Sequence, residues 1–209
     1  MLKRCLDASL ALMGLIATAP AWIVLMVAIK LEDGGPVFFG QDRWGKDGRK
    51  FRALKFRSMM TDAATVWGSV QAKENDPRIT RIGRIMRRTA LDELPQILNI
   101  LKGDMSFVGP RSLPINERQL NDPHPDLPDD AVPNFAMRSH VRPGLTGLAQ
   151  IYAPRDVSRR NKFRYDVLYV RRQGLLLDLR LILLSIWISL KGGWERRVRH
   201  SSVRSSAGA

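Results

Sequence analysis

From Ala8 to Ile29 the chain carries no charged residue. Wound as a straight helix, these about 22 positions would reach roughly 33 Å, close to the hydrocarbon thickness of a bilayer. Pro20 stands near the middle of the run, where it removes a backbone donor and crowds the preceding turn, so a kink or break is expected there. Both flanks are basic: Lys3 and Arg4 precede the run, and Lys30, Arg43, Lys46, Arg49 and Lys50 follow it. The positive-inside rule keeps both flanks in the cytosol. A straight span separates them, whereas a re-entrant helix-break-helix over residues 1–31, turning at Pro20, keeps them together if its freed backbone groups are satisfied locally. A cleaved signal peptide is the competing reading, since Ala17-Thr18-Ala19 resembles a cleavage site. Proline just after the cut, and an apolar run continuing about ten residues beyond it, count against secretion.

The remainder is long enough for one globular domain over residues 32–190 and a basic, unstructured tail over 191–209. Lys and Arg total 34 against 20 for Asp and Glu, a formal charge of +14. Such a surplus attracts nucleic acid, nucleotide and anionic lipid alike. With Cys5 as the only cysteine there is no internal disulfide framework, and His124, His140 and His200 are too scattered for a zinc motif. Cys5 is expected as a buried or interfacial thiol in a reducing, cytosol-facing protein.

The coarse reading of the domain is α+β and mainly helical, with short strands and interfacial amphipathic helices. Residues 36–39 and 51–56 read as strands joined through Gly45-Lys46-Asp47-Gly48. In Lys55-Phe56-Arg57 the two charges share one strand face, as a solvated edge or as a phosphate contact. From Ile79 to Arg88 an apolar stripe at helical spacing (Ile79, Ile82, Ile85, Met86) is surrounded by arginines. The following helix buries Ile97, Leu98, Ile100 and Leu101 and ends at Lys102-Gly103. Its start holds Leu91-Asp92-Glu93-Leu94-Pro95-Gln96, with Asp92 near the cap and Thr89-Ala90-Leu91-Asp92 matching a capping box. Adjacent carboxylates there serve the helix dipole, or, among arginines that keep them ionised, a nucleophile or metal ligand.

Downstream, Gly103 to Arg111 reads as a turn, a short buried strand and a Gly-Pro exit presenting Arg111, whose planar fork suits phosphate. Residues Asn121 to Asp130 hold three prolines and four aspartates, which predicts a mobile acidic loop. Arg142-Pro143-Gly144-Leu145-Thr146-Gly147 reads as an ordinary tight turn or a backbone cradle for phosphate. Leu175 to Leu190, with Asp178 and Arg180 inside it, reads as an interfacial helix.

Taken in order, Lys55-Phe56-Arg57-Ser58-Met59, Pro77 to Arg84, Leu91 to Gln96, Gly103-Asp104-Met105-Ser106 with Gly109-Pro110-Arg111, and Arg142 to Gly147 resemble the signatures of the bacterial sugar transferases, the monotopic phosphoglycosyl transferases. The chain resembles the small form of that family. The resemblance implies transfer of a sugar-1-phosphate from a UDP-sugar to undecaprenyl phosphate at the cytosolic face of the bacterial inner membrane, with release of UMP. It implies that Asp92 is the nucleophile, forming a phosphosugar-aspartyl ester, and that Glu93 binds Mg²⁺. Lys55, Arg57, Arg88, Arg111 and Arg142 are the candidate phosphate contacts. Membrane lipids are expected partners, and a homo-oligomer is compatible with the sequence. Two departures stand out: Ser112 where the family usually has a second proline, implying a less rigid loop, and Ile151-Tyr152-Ala153-Pro154 in place of the usual ending after Ala149-Gln150. The rival class, a non-catalytic protein binding anionic lipid or nucleic acid, rests on charge alone. No nucleic-acid motif or aromatic platform supports it, so nucleic acid is not an expected partner.

Overall fold

A computed structural model describes residues 2–61, 76–115, 122–153 and 157–191. The expected tail falls from residue 192 onward outside the described residues, as do Asn121 and Pro154. Helix dominates, with short strands between helices.

Helix α1 spans Leu2–Asp33 without interruption and carries Pro20 in its interior. The expected break is therefore absent from the backbone hydrogen-bonded structure. A proline removes one donor only, and a long helix carries the loss through the turns on either side. Two residues before it, Thr18 Oγ1 donates back to the Gly14 carbonyl at 2.7 Å, a local bond of the kind that bends helices. Only one stripe of α1 is buried, at Asp7, Ala11, Trp22 and Ile29. Leu12, Met13, Ile16, Ile23, Val24 and Val27 face outward, each more than half exposed. By length and composition α1 can cross a membrane.

Polar groups fasten both ends of this helix to the rest of the chain. At its start, Lys3 pairs with Asp178, and the Arg4 guanidinium donates to the Ile100 and Leu101 carbonyls, both at 2.5 Å. Asp7, 3% exposed, accepts from Ser106 Oγ and Phe107 N–H. At its end, the Glu32 carboxylate accepts from the Arg81 and Ile82 amides, and Asp33 pairs with Arg57. Cys5 is exposed, not buried.

Strands β1 (Phe38–Trp44) and β2 (Lys50–Phe56) form an antiparallel hairpin, in register from Phe38 opposite Phe56 to Trp44 opposite Lys50. The turn places Asp47 and Gly48 at positive φ, as the Lys46-Asp47-Gly48 sequence invites. Trp22 of α1 packs on Phe56, centroids 5.2 Å apart, and Phe56 stacks on Phe38. Helix α2 (Arg81–Thr89) begins at Thr80, whose side chain accepts from the Gly83 amide. It buries Met86 completely but leaves Ile85 58% exposed, so the apolar stripe is narrower than its spacing suggests. A Cβ on Gly83 would fall onto the Ser58 carbonyl, so this helix can lie so close to β2's exit only with glycine there.

Helix α3 (Gln96–Lys102) ends on Gly103 at φ 99, the terminator its sequence predicts. Its Asn99 inserts against β2: the side-chain oxygen accepts from Leu54 N–H at 3.0 Å and the amide donates to the Arg52 carbonyl at 2.9 Å. Strands β3 (Ser106–Val108) and β4 (Gly144–Thr146) pair in parallel. Helices α4 (Phe135–Ser139), α5 (Leu148–Tyr152), α6 (Arg159–Arg172) and α7 (Leu175–Leu190) complete the domain. Helix α7 buries Asp178, Leu181 and Ile188 and exposes Leu176, Leu179, Leu183, Ile186 and Leu190, the two-sided pattern expected of an interfacial helix.

The acidic loop is built differently from its expectation. Arg159, 3% exposed, donates to the Asp122 and Asp129 carboxylates and to the Leu127 and His124 carbonyls. A single buried guanidinium thus organises residues 122–129, and the four aspartates of the stretch are in part its counter-charges.

Asn99→Ala is expected to destabilise the fold by about 2 kcal/mol or more, because it strands a strand amide and a strand carbonyl at once. Chemical denaturation of the detergent-solubilised protein measures this, and an unchanged midpoint would contradict the role given to Asn99.

Candidate active site

The sequence puts Asp92 and Glu93 at a helix start; the structure puts them one step earlier, in a 3-10 turn over Leu91–Glu93 that links α2 to α3. Pro95, not Asp92, precedes the first residue of α3. No capping box forms: Thr89 is the last residue of α2, and its hydroxyl donates back to the Ile85 and Met86 carbonyls. Ala90 takes a left-handed conformation (φ 59, ψ 19), uncommon for a residue with a Cβ. That reversal ends α2 and turns Asp92 inward, leaving its side chain 8% exposed.

Lys55 reaches the same place from β2. Its Nζ lies 2.8 Å from Glu93 Oε1 and 3.7 Å from Asp92 Oδ2. Arg111 arrives from the segment after β3, with Nη2 3.0 Å from that same Glu93 Oε1. Two cations therefore converge on one carboxylate oxygen. Burial works to raise the pKa of Glu93, but Lys55 and Arg111, helped by Arg43, outweigh it and hold the carboxyl well below its usual range. Asp92 shifts the other way, pushed up by burial and by Glu93 beside it against the opposing pull of Lys55, Arg87 and Arg111. The two adjacent buried carboxyls are thus pushed in opposite directions, Glu93 toward its ionised form and Asp92 toward its neutral one.

Of the phosphate candidates, Lys55 and Arg111 are brought to the dyad. Arg57 is not: it is 6% exposed, paired with Asp33, and donates to the Pro36 carbonyl at 2.6 Å, locking the end of α1 to β2. Arg142 donates to the Gly103 carbonyl at 2.8 Å and so ties the approach to β4 to the end of α3. Arg88 lies on the exposed side of α2. Its neighbour Arg87 is the one close enough to favour ionised Asp92, and because Ala90 breaks the helix between them, no spacing in the sequence separates the two arginines. Arg43, buried at 5%, was read from sequence only as a basic flank; alternation along β1 carries no sign of it.

In the Arg142–Gly147 segment the backbone is turned to the strand opposite it. Gly144 N–H donates to the Pro110 carbonyl and Gly109 N–H to the Thr146 carbonyl, and a Cβ on Gly109 or Gly144 would fall onto the opposing chain. The glycines let two backbones touch, and what they support is the stretch leading to Arg111. Ser112, where a proline was expected, does not loosen the loop. It is 2% exposed, and Arg43 Nη1 donates at 3.0 Å to both its hydroxyl and its carbonyl.

Among the described residues no three His, Cys, Asp or Glu side chains gather as a metal cluster. The donors at the site are the two carboxylates of Asp92 and Glu93. Such a set fits Mg²⁺, a hard cation that commonly takes one or two protein carboxylates and completes its shell with water and substrate phosphate.

Comparison with known proteins gives this geometry its context. Residues 1–192 match the family described as bacterial sugar transferase. The exopolysaccharide production protein PSS of Rhizobium leguminosarum bv. phaseoli is 43% identical over 186 residues, covering 87% of this chain and 91% of that protein. The exopolysaccharide production protein ExoY of Rhizobium meliloti (strain 1021) is 38% identical, with 89% and 84% covered. The UDP-glucose:undecaprenyl-phosphate glucose-1-phosphate transferase of Xanthomonas campestris pv. campestris is 39% identical over 88% of this chain and 37% of its own length. With a match running from the first residue through α7 and similarity to full-length relatives of the same size class, this chain belongs to the bacterial sugar transferase family.

Proposed function

We propose that this protein transfers a sugar-1-phosphate from a UDP-sugar to undecaprenyl phosphate, releasing UMP, through a covalent intermediate on Asp92. The observation that carries the reading is the dyad itself: a buried carboxyl beside a second one that Lys55 and Arg111 keep ionised, in a family whose relatives are named as undecaprenyl-phosphate sugar phosphotransferases. In the first displacement an Asp92 carboxylate oxygen attacks the β-phosphorus of the donor. The bond from that phosphorus to the bridging oxygen breaks, and UMP leaves with the electron pair. In the second, a phosphate oxygen of the acceptor attacks the same phosphorus, the acyl-phosphate bond breaks, and the Asp92 carboxylate is restored. Dividing the transfer lets a water-soluble donor and a lipid acceptor use one site in turn.

The residues have distinct tasks in this scheme. Lys55 and Arg111 stand where the pyrophosphate must enter, and their charges balance oxygens that would otherwise repel an anionic nucleophile. Glu93 is the group that would hold Mg²⁺, which when bound would supply further neutralisation of the phosphates. The acceptor phosphate, with a second pKa of about 6, is largely ionised and needs little base assistance. UDP-glucose is the first donor to test, since several relatives are named for it, and exopolysaccharide synthesis is the corresponding pathway class.

The same reading places the protein on one face of the membrane. Helix α1 touches the domain at Lys3, Arg4 and Asp7 and again at Glu32 and Asp33, although a helix of its length extends roughly 48 Å. A helix that crossed the bilayer could not keep both ends on one cytosolic domain. Lying lengthwise, with its outer apolar face in the lipid, it can.

Purified protein given UDP-glucose and Mg²⁺ without acceptor is expected to release about one equivalent of UMP and gain a hexose-phosphate mass on Asp92. Asp92→Asn should lower turnover by at least about a thousandfold; release of UMP at the wild-type rate by that variant would remove Asp92 as nucleophile, and no UMP from any UDP-sugar would favour the non-catalytic reading. Topology is tested separately. Cys5, and a cysteine introduced as Arg49→Cys in a Cys5→Ser background, are expected to react with a membrane-impermeant maleimide from the same side, the cytosolic one, in inverted vesicles. Labelling from opposite sides would mean that α1 spans.

A further inference from the structure

We infer that Arg138 is a positioning residue for the site, holding the backbone of Arg111 so that its guanidinium meets Glu93; this rests on the function proposed above. Arg138 sits in α4 and is 4% exposed. Its Nε donates to Asp166 Oδ2 of α6 at 2.8 Å, and its guanidinium lies over the Phe163 ring, 4.5 Å from the centroid. Its Nη2 donates to the Arg111 carbonyl at 2.5 Å. One planar group thus connects the α4–α6 interior to the segment that supplies a cation to the dyad.

The need for such a tie follows from the surroundings of Arg111. Its side chain is 44% exposed, and an exposed arginine has many rotamers to lose before it settles on one carboxylate oxygen. Fixing its main chain reduces that cost. Three ties do so: Gly144 N–H on the Pro110 carbonyl, Arg43 on Ser112, and Arg138 on the Arg111 carbonyl itself. The first two hold the neighbours, and Arg111 itself bridges to Gly144; the third acts directly on the carbonyl of the residue whose side chain reaches Glu93. A buried ion pair made merely to hold α4 against α6 would be replaceable by apolar residues of similar volume with little loss. The carbonyl contact is what such a replacement would forfeit.

That contrast gives the experiment. Arg138→Met combined with Asp166→Leu removes the pair without leaving a lone buried charge, and Arg138→Lys keeps one donor for the Arg111 carbonyl. With UDP-glucose and Mg²⁺, the double variant is expected to lower kcat/KM for UMP release roughly ten- to a hundredfold, mainly in kcat, with thermal stability near wild type. Arg138→Lys should recover part of that loss. In an Arg111→Met background the double variant should cost less than threefold more, since both changes remove one contribution. Losses that multiply in the combined variant, or activity within twofold of wild type in the double variant, would overturn the inference. If wild type itself releases no UMP from any UDP-sugar, the functional reading fails, and the positional claim is judged without substrate. Nitrogen-15 relaxation of the Arg111 Nε should then report a guanidinium ordered in wild type and mobile in the double variant; equal order in both would overturn it.

Discussion

Two cations sharing one oxygen of Glu93 is the contact to which the other parts of the structure are subordinate. Lys55 comes from a hairpin, Arg111 from beyond a parallel strand pair, and the dyad from a turn between two short helices, so no local segment contains the site. Each contributor is then held by something specific. Asn99 presses α3 onto β2 beside Lys55, the close contact of Gly109 with Gly144 fixes the run into Arg111, and Ala90 turns the carboxylates inward. The site is an intersection of three supports, which is why buried charge can persist there: every member has a partner of opposite sign.

The electrostatics have a functional logic of their own. For the reaction proposed above, receiving a pyrophosphate needs positive charge in advance, and attacking phosphorus needs a carboxylate. Lys55, Arg87 and Arg111 around Asp92 and Glu93 meet both needs, leaving the cluster net positive while pushing the ionisation of its two acids apart. The strong positive surplus of the chain is accordingly spent in two ways. Some arginines, such as Arg57, Arg138 and Arg159, are buried struts for carbonyls and carboxylates, and only a few face the place where chemistry is proposed.

That division explains what could be read from the sequence. Helical spacing gave α2 and α3 and the terminator at Gly103, and turn chemistry gave the hairpin around Asp47-Gly48, because these are local rules. The dyad was legible as an oddity, two acids in a basic stretch. Its partners were harder: Arg57 and Arg142 occupy motif positions yet serve the backbone, while Arg43 and Arg87 approach the dyad without a pattern to announce them. Strand β4, three residues long, is too short to show alternation. The prolines and aspartates after Asn121 predict mobility, and the distant Arg159 that gathers Asp122 and Asp129 is invisible to any local window. Pro20 misled in the opposite direction, since a single missing donor is a local deficit that a 32-residue helix absorbs.

Helix α1 has two opposite surfaces, one exposed and apolar, and the inner one is not an attachment but part of the interior. Ala11 packs with Ile97, Ile100 and Met105, and Trp22 and Ile29 pack with Phe56 and Met86, so the same side chains that back the turn carrying Asp92 rest on the one described helix long and apolar enough to cross a membrane. Trimming this segment away, the usual route to a water-soluble fragment, would therefore unroof the hydrophobic bed beneath Asp92. In the arrangement proposed here anchorage and folding are a single thermodynamic event, and the height of the Asp92 carboxylate above the acyl chains is set by the same packing that makes the protein fold.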